Sequence, residues 1–343
     1  MKENSFDFLR LLFAYFVIIT HSYPLSGLAE QDILSHITNN QTALSHIGVS
    51  GFFIISGFMI YPSLIRSKTI LEYVFKRIIR IYPAYLILIT LTLLIFGPML
   101  TSLNYFDFIK NPITINYFKL NVNLLSPIQF ILPDVFTDNP YPNAVNGSLW
   151  TIPYEFLFYF LIIPIQYVPK QYRRYLLIAT FLLLIILFKV NSHFQLDVIP
   201  GTSFEKIYLL KFGLLFISGA IISELGFIKI KNSIIAAVST LLLIISFTTN
   251  TYEYAQFFIL PILIISIGQL KIPYLSKINK IGDYSYGIYL YGFLIQQTLQ
   301  HYFELSLYEF IIYSVIFSTI FGSASWFLIE KNALKLKALF SKN

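Results

Sequence analysis

The sequence predicts an all-α, polytopic membrane protein of about ten transmembrane helices with both termini cytoplasmic. Three observations carry that expectation. Of 343 residues, 56% are hydrophobic and only 12% charged, with a mean hydropathy of +0.69, too apolar for a soluble globule. Ten apolar runs, near 7–25, 44–65, 79–100, 149–168, 175–190, 207–225, 233–249, 252–270, 284–303 and 308–329, approach the roughly 20 residues a helix needs to cross about 30 Å of hydrocarbon. With the N-terminus inside, nineteen of the 24 lysines and arginines fall on cytoplasmic segments, and Lys110, Lys119, Lys189, Lys206 and Lys211 remain outside. That asymmetry is the positive-inside rule.

Composition also removes other classes. The net charge of +7 is mostly topology, because the cations are scattered over the inner loops and the tail instead of lining one face, so no nucleic-acid partner is expected. Without cysteine there is no thiolate zinc site, redox pair or cysteine nucleophile. No P-loop, nucleophile elbow or H-E-x-x-H occurs, and no metal is expected.

The first run passes Pro24 without a small-residue cleavage site and carries charge, so it is expected to be a retained helix. Its Arg10 and His21 are eleven residues apart. At about 100° and 1.5 Å per residue they share a face and stand about 16 Å apart. An ionisable side chain in a bilayer is costly enough to be read as functional first. In the second run, His46, Ser50 and Ser56 stand among Gly48, Gly51 and Gly57, and the small residues favour close helix packing over chemistry. Lys76, Arg77 and Arg80 open the third run. Topology alone would put basic residues there, but arginines where lysine would serve suggest phosphates clamped by Arg10, Arg77 and Arg80.

The outer segment 104–148, rich in proline and asparagine, is too long for a turn and is expected to act as a lid over an outward-facing cavity, with 124–136 in the interface or dipping back. The fourth run brings Ser148, Trp150, Thr151 and then Glu155, which should reach the depth of His21 and either orient it or form an inert ion pair with it. In the ninth run Asp283 fits a helix cap, and Tyr284, Tyr286, Tyr289 and Tyr291 an interfacial belt. His36, His193 and His301 lie on outer loops or ends and are read as ordinary. The chain stops about a dozen residues after the last run, with tail lysines that look like a membrane-surface stop. Residues 1–343 are therefore expected to form a single membrane-embedded domain with no attached soluble one.

Six stretches together resemble the acyltransferase-3 family of integral membrane acyltransferases. They are Phe6-Asp7-Phe8-Leu9-Arg10 with His21; GVSGFFIISGFMI from Gly48; KRIIRIYPAY from Lys76; NGSLWTIPYEFLFY from Asn146; GDYSYGIYLY from Gly282; and Trp326 to Lys331. The resemblance implies a multi-pass protein of a bacterial plasma (inner) membrane that uses cytoplasmic acetyl-coenzyme A and a hydroxyl acceptor such as a cell-envelope glycan or lipid-linked sugar. It also implies Arg10, Arg77 and Arg80 on the donor and His21 as the essential catalytic group. The tryptophan-threonine motif maps onto Trp150, Thr151 and Glu155. Many members have a histidine where this chain has Gly292, a role that is absent here or falls to Tyr289 or Tyr291.

Residues and resemblance together predict an O-acetyltransferase. His21, oriented by Glu155, acts as general base or acyl relay, while Ser148, Trp150, Thr151, Tyr154 and Tyr289 bind the sugar. The alternative is an exporter of lipid-linked sugars with His21 and Glu155 as a proton relay.

Overall fold

A computed structural model describes residues 4–191, 198–226, 230–272 and 282–337. His193 and the topological cations Lys2, Lys229, Lys277, Lys280 and Lys342 lie outside the described residues. Within them the fold is all-α: the one β-type contact is an isolated bridge between Val198 and Glu205. Ten long helical segments follow the apolar runs. They are α1 (Phe6–Leu25), α2 (Leu44–Arg66), α3 (Ile70–Leu100), α4 (Gly147–Tyr167), α5 (Lys170–Asn191), α6 (Lys206–Leu225), α7 (Asn232–Thr248), α8 (Tyr252–Gly268), α9 (Ser285–Tyr302) and α10 (Leu307–Lys335). Six of them, α1, α2, α3, α4, α6 and α10, are long and apolar enough to cross a membrane, which makes this a multi-pass membrane protein.

Helix α9 falls short on hydropathy for a reason that concerns the site. Fourteen of its 18 residues are buried, so protein surrounds it on every side and it can carry polar groups that a lipid-facing helix cannot. Gln296 uses its amide to bond the Ile18 carbonyl and the Ser22 hydroxyl of α1, both at 2.9 Å. Helix α9 packs between α1 and α10, and α2 packs between α1 and α6. The small residues of α2 make the second contact possible. A β-carbon on Gly57 would fall 1.8 Å from the Phe216 carbonyl oxygen, and one on Gly219 of α6 would fall 2.1 Å from that of Ile54. The backbones of α2 and α6 therefore touch, as expected of small-residue interfaces in membranes.

The outer segment is ordered and tied down. After two short helices, Tyr105–Lys110 and Pro112–Val122, the chain runs irregularly back toward the bundle, burying Leu132, Val135, Phe136 and Val145. Gln297 of α9 donates to the carbonyls of Tyr141 and Ala144 at 2.8 Å. Asn146 then donates to the Leu290 carbonyl at 2.8 Å, and Gly147 lies against the Phe293 ring, where a β-carbon would sit 2.7 Å from it. The chain has already descended to the middle of α9 when α4 begins. Asn146 opens an Asn-Gly-Ser glycosylation sequon, but in the fold it is 1% exposed and its amide is engaged, a structural rather than a glycan-bearing position.

Candidate functional site

Four side chains from four segments meet at the end of the bundle where α9 begins. Arg10 of α1 and Arg80 of α3 both bond one carboxylate, Asp283, just before α9; the Arg80 contact is 2.6 Å. Arg80 also reaches Glu330 of α10 at 3.2 Å. A π-helical turn, Trp326–Glu330, turns Glu330 toward Arg80, and Gly282, at φ +133°, lies so close to Trp326 that a β-carbon would fall 2.0 Å from its indole nitrogen. Ser285 donates to Asp283 at 2.5 Å. Burial pushes the Asp283 carboxyl up, but the Arg10 and Arg80 guanidiniums and Ser285 outweigh it and hold it below the usual carboxylate range.

Arg77 is differently placed. It donates to the Ser63 hydroxyl at 3.3 Å and its guanidinium lies 5.7 Å from both the Tyr73 and Tyr159 ring centroids, while its Nε is buried without a partner. Lys337, just beyond α10, comes to the same place. Burial lowers its ammonium pKa, and the cations of Arg77, Arg80 and Lys76 lower it further, to about 8.

These cations form the mouth of a cavity of about 200 Å³. Its walls are apolar side chains of α2, including Phe52, Phe53 and Ile60, and its interior holds Glu155, Tyr159, Tyr286, Thr151 and Tyr289. Glu155 accepts hydrogen bonds from Ser56 at 2.9 Å and from Tyr159. One turn further along α4 toward the outer side, Thr151 and Tyr289 hydrogen-bond at 2.6 Å. The cavity thus runs from cations, past a carboxylate bonded to two hydroxyls, to a hydroxyl pair. Such an arrangement can hold an anion at its cationic end and accept a proton at the carboxylate further in. Among the described residues no group of three or more His, Cys, Asp or Glu is placed to hold a metal ion.

The structure brings Arg10, Arg77, Arg80, Thr151, Glu155 and Tyr289 around one cavity. It does not bring His21 to Glu155. The His21 ring meets Phe293 edge to face at 5.6 Å, His46 acts on it electrostatically, and it is not among the lining residues. The physical reason is depth. Gly147, not Glu155, lies at the level of Phe293 and hence of His21, and eight further helical residues carry Glu155 roughly 12–14 Å along α4 toward the end that holds Arg80. Ser148, Trp150 and Tyr154 also stand outside the cavity. Ser148 is buried, Trp150 packs on Tyr208 and Phe212, and Tyr154 donates to the Ser203 carbonyl and accepts from the Glu205 amide. Gly292 faces Ile18, 3.2 Å from where its β-carbon would be, which leaves no room for a histidine; of the two tyrosines beside it, Tyr289 lines the cavity and Tyr291 packs on Phe321.

Several participants escape a sequence reading. Asp283 resembled a cap, Lys337 a membrane stop and Ser56 a packing residue, and each explanation sufficed on statistics alone. Glu330 did carry a signal, since an acid at the inner end of a last span faces a field of lysines.

A family model described as an acyltransferase domain, that of the acyltransferase-3 family, matches residues 3–329. The chain belongs to that family. This acyltransferase is similar to an O-acetyl transferase of Shigella phage Sf6, 28% identical over 348 residues that cover 97% of this chain and 96% of that one. It is also similar to nodulation protein 10 of Rhizobium leguminosarum bv. viciae, 25% identical over 369 residues, covering 98% and 94%. No solved structure matches it. Acyl transfer displaces the exporter alternative.

Proposed function

We propose that this acyltransferase moves an acetyl group from cytoplasmic acetyl-coenzyme A to a hydroxyl of a cell-envelope glycan or its lipid-linked precursor, across a bacterial plasma membrane. The observation that carries the proposal is the cavity: a cationic mouth suited to phosphates leads to a carboxylate poised among hydroxyls. The buried, unpartnered Nε of Arg77 is a donor waiting for an acceptor, as an anionic ligand would supply. The similarity to a protein named O-acetyl transferase supports an oxygen acceptor and an acetyl group.

In this scheme the arginine end is cytoplasmic, all ten long helices cross the membrane, and the outer segment 104–148 covers the acceptor side as a lid. Arg10, Arg77 and Arg80 stand around the mouth that takes the nucleotide end of the donor. The thioester carbon–sulfur bond breaks as a carbon–oxygen ester bond forms. The acceptor hydroxyl proton goes to His21 and finally to the departing thiolate, so no net charge crosses. Glu155 acts at the donor end through Ser56 and Tyr159, not on the imidazole. Between the two, the Thr151–Tyr289 pair lies on the path the acetyl group takes. Trp150, with Ser148 and Tyr154 behind it, faces the sugar from the outer side.

Acetyl-coenzyme A consumption by purified protein in nanodiscs, with coenzyme A binding measured in parallel, tests this. The parent binds coenzyme A and turns over acetyl-coenzyme A; His21→Ala loses turnover by at least about a hundredfold while still binding, because general-base groups contribute roughly 10²–10⁴. A parent that binds no coenzyme A removes the donor, and a His21→Ala protein that transfers normally removes the catalytic histidine. The mass shift of surface glycans on deleting the gene identifies the acceptor.

A further inference from the structure

Five cations crowd the inner mouth, and their partners divide them. Arg10 is bonded to Asp283, Arg80 to Asp283 and Glu330, and Lys76 to Glu72 at 2.5 Å one helical turn away. Arg77 and Lys337 have no carboxylate partner among the described residues, yet both line the cavity. A guanidinium already saturated by two carboxylates has little to offer an incoming phosphate. Held instead between Asp283 and Glu330, Arg80 joins α3, α9 and α10, while Arg10 adds α1 through the same Asp283. These ion pairs fix the frame.

We propose that Lys337 and Arg77 are the two-point clamp for the donor's phosphate groups, and that Arg10 and Arg80 position the cavity around it. This rests on the cavity being the coenzyme A site. Two features support the division. Arg77 keeps a buried donor, Nε, without an acceptor, and Lys337 lies where three other cations act on it, so that it carries its proton reluctantly until an anion arrives. Lys337 belongs to a tail that the cation distribution explains as a membrane-surface stop, so its ammonium also has a competing partner, a phospholipid headgroup, that the same chemistry would recognise.

The experiment uses the full chain in nanodiscs of neutral lipid and, separately, of lipid doped with phosphatidylglycerol, titrated with coenzyme A. Lys337→Gln is compared with Lys335→Gln, two residues away, exposed and bonded to Asn332. The clamp predicts that Lys337→Gln weakens coenzyme A binding about tenfold in both discs, the effect of one charge-assisted hydrogen bond, and lessens its salt dependence, while Lys335→Gln binds as the parent does. A loss confined to the doped discs assigns Lys337 to lipid headgroups and overturns the proposal, as does an equal loss in both lysine variants or no loss at all. A parent that binds no coenzyme A overturns the underlying donor site instead. Arg10→Lys and Arg80→Lys complete the test: if they reduce thermal stability more than affinity, the positioning role stands; if they match Arg77→Lys in lost affinity with unchanged stability, the division between clamp and frame is wrong.

Discussion

Asp283 holds the inner site together, accepting from Arg10, Arg80 and Ser285 at once. Asp283→Asn leaves two guanidiniums without their counter-charge, and a thermal-unfolding series in detergent should show a loss of about 3 kcal/mol, as for broken buried pairs. Because the folded pKa of Asp283 is depressed, its contribution is full above the ordinary value of 3.8 and is lost as pH falls below it; the Asp283→Asn protein should lack that acid-side slope. Lys337 gives a second pH dependence of its own. It is protonated below about 8 when free, and a bound phosphate pulls its pKa back up, so donor affinity is full below about 8 and declines as pH rises to 9. Lys76, Arg77 and Arg80 of α3 face it, with Arg10 and Glu155 across the cavity; a Lys337→Arg protein, charged throughout, should show a flat profile in the same titration. Arg10 and Glu155 were legible in the sequence because charge inside an apolar run needs a reason, and Arg77 and Arg80 because lysine would have served topology as well. Asp283 and Lys337 were not, since a cap and a topological lysine already accounted for them. His21 does not meet Glu155 because α4 does not start at the membrane surface: contacts with α9 hold Asn146 and Gly147 well inside, and Glu155 lies deeper still.

Among the elements, α2 was the most readable and the most underestimated. Its glycines do pack helices, with the Gly57 contact to Phe216 leaving no space for a methyl group, so Gly57→Leu should destabilise the α2–α6 pair by at least about 3 kcal/mol. Gly213→Ala, whose methyl would meet Leu184 and Phe158 at an ordinary 3.5 Å, should be close to neutral in the same melting assay. Yet the face of α2 that carries Ser56 also lines the cavity, a double duty that residue spacing does not reveal. The long helices contain or track the apolar runs, but polar turns extend some of them: α3 starts at Ile70, before the run at 79, and α10 continues to Lys335, past 329. The π-helical turn at Trp326–Glu330 had no sequence cue; it follows from tertiary packing of Trp326 on Gly282. Trp326→Ala should release Glu330 from Arg80, and coenzyme A titration should report weaker binding through a disturbed mouth.

At the scale of the molecule, the cation-lined mouth at the start of α9 and the segment 104–148 tied to its far half lie at opposite ends of one helical bundle. The chain has no cysteine, so single cysteines can be placed without background. A membrane-impermeant maleimide applied to intact cells should label Asn123→Cys in the outer segment and leave Gln171→Cys, at the start of α5, unlabelled until the cells are opened. The proposed transfer is directional: donor enters from the cytoplasm and acetyl leaves on the other side. Radiolabelled acetyl-coenzyme A supplied to sealed vesicles of known orientation tests it directly. Inside-out vesicles, which present the cytoplasmic mouth, should accumulate label on lumenal glycan, and His21→Ala vesicles should not. Labelling that proceeds equally in right-side-out vesicles, or that persists in the His21→Ala protein, would contradict the account.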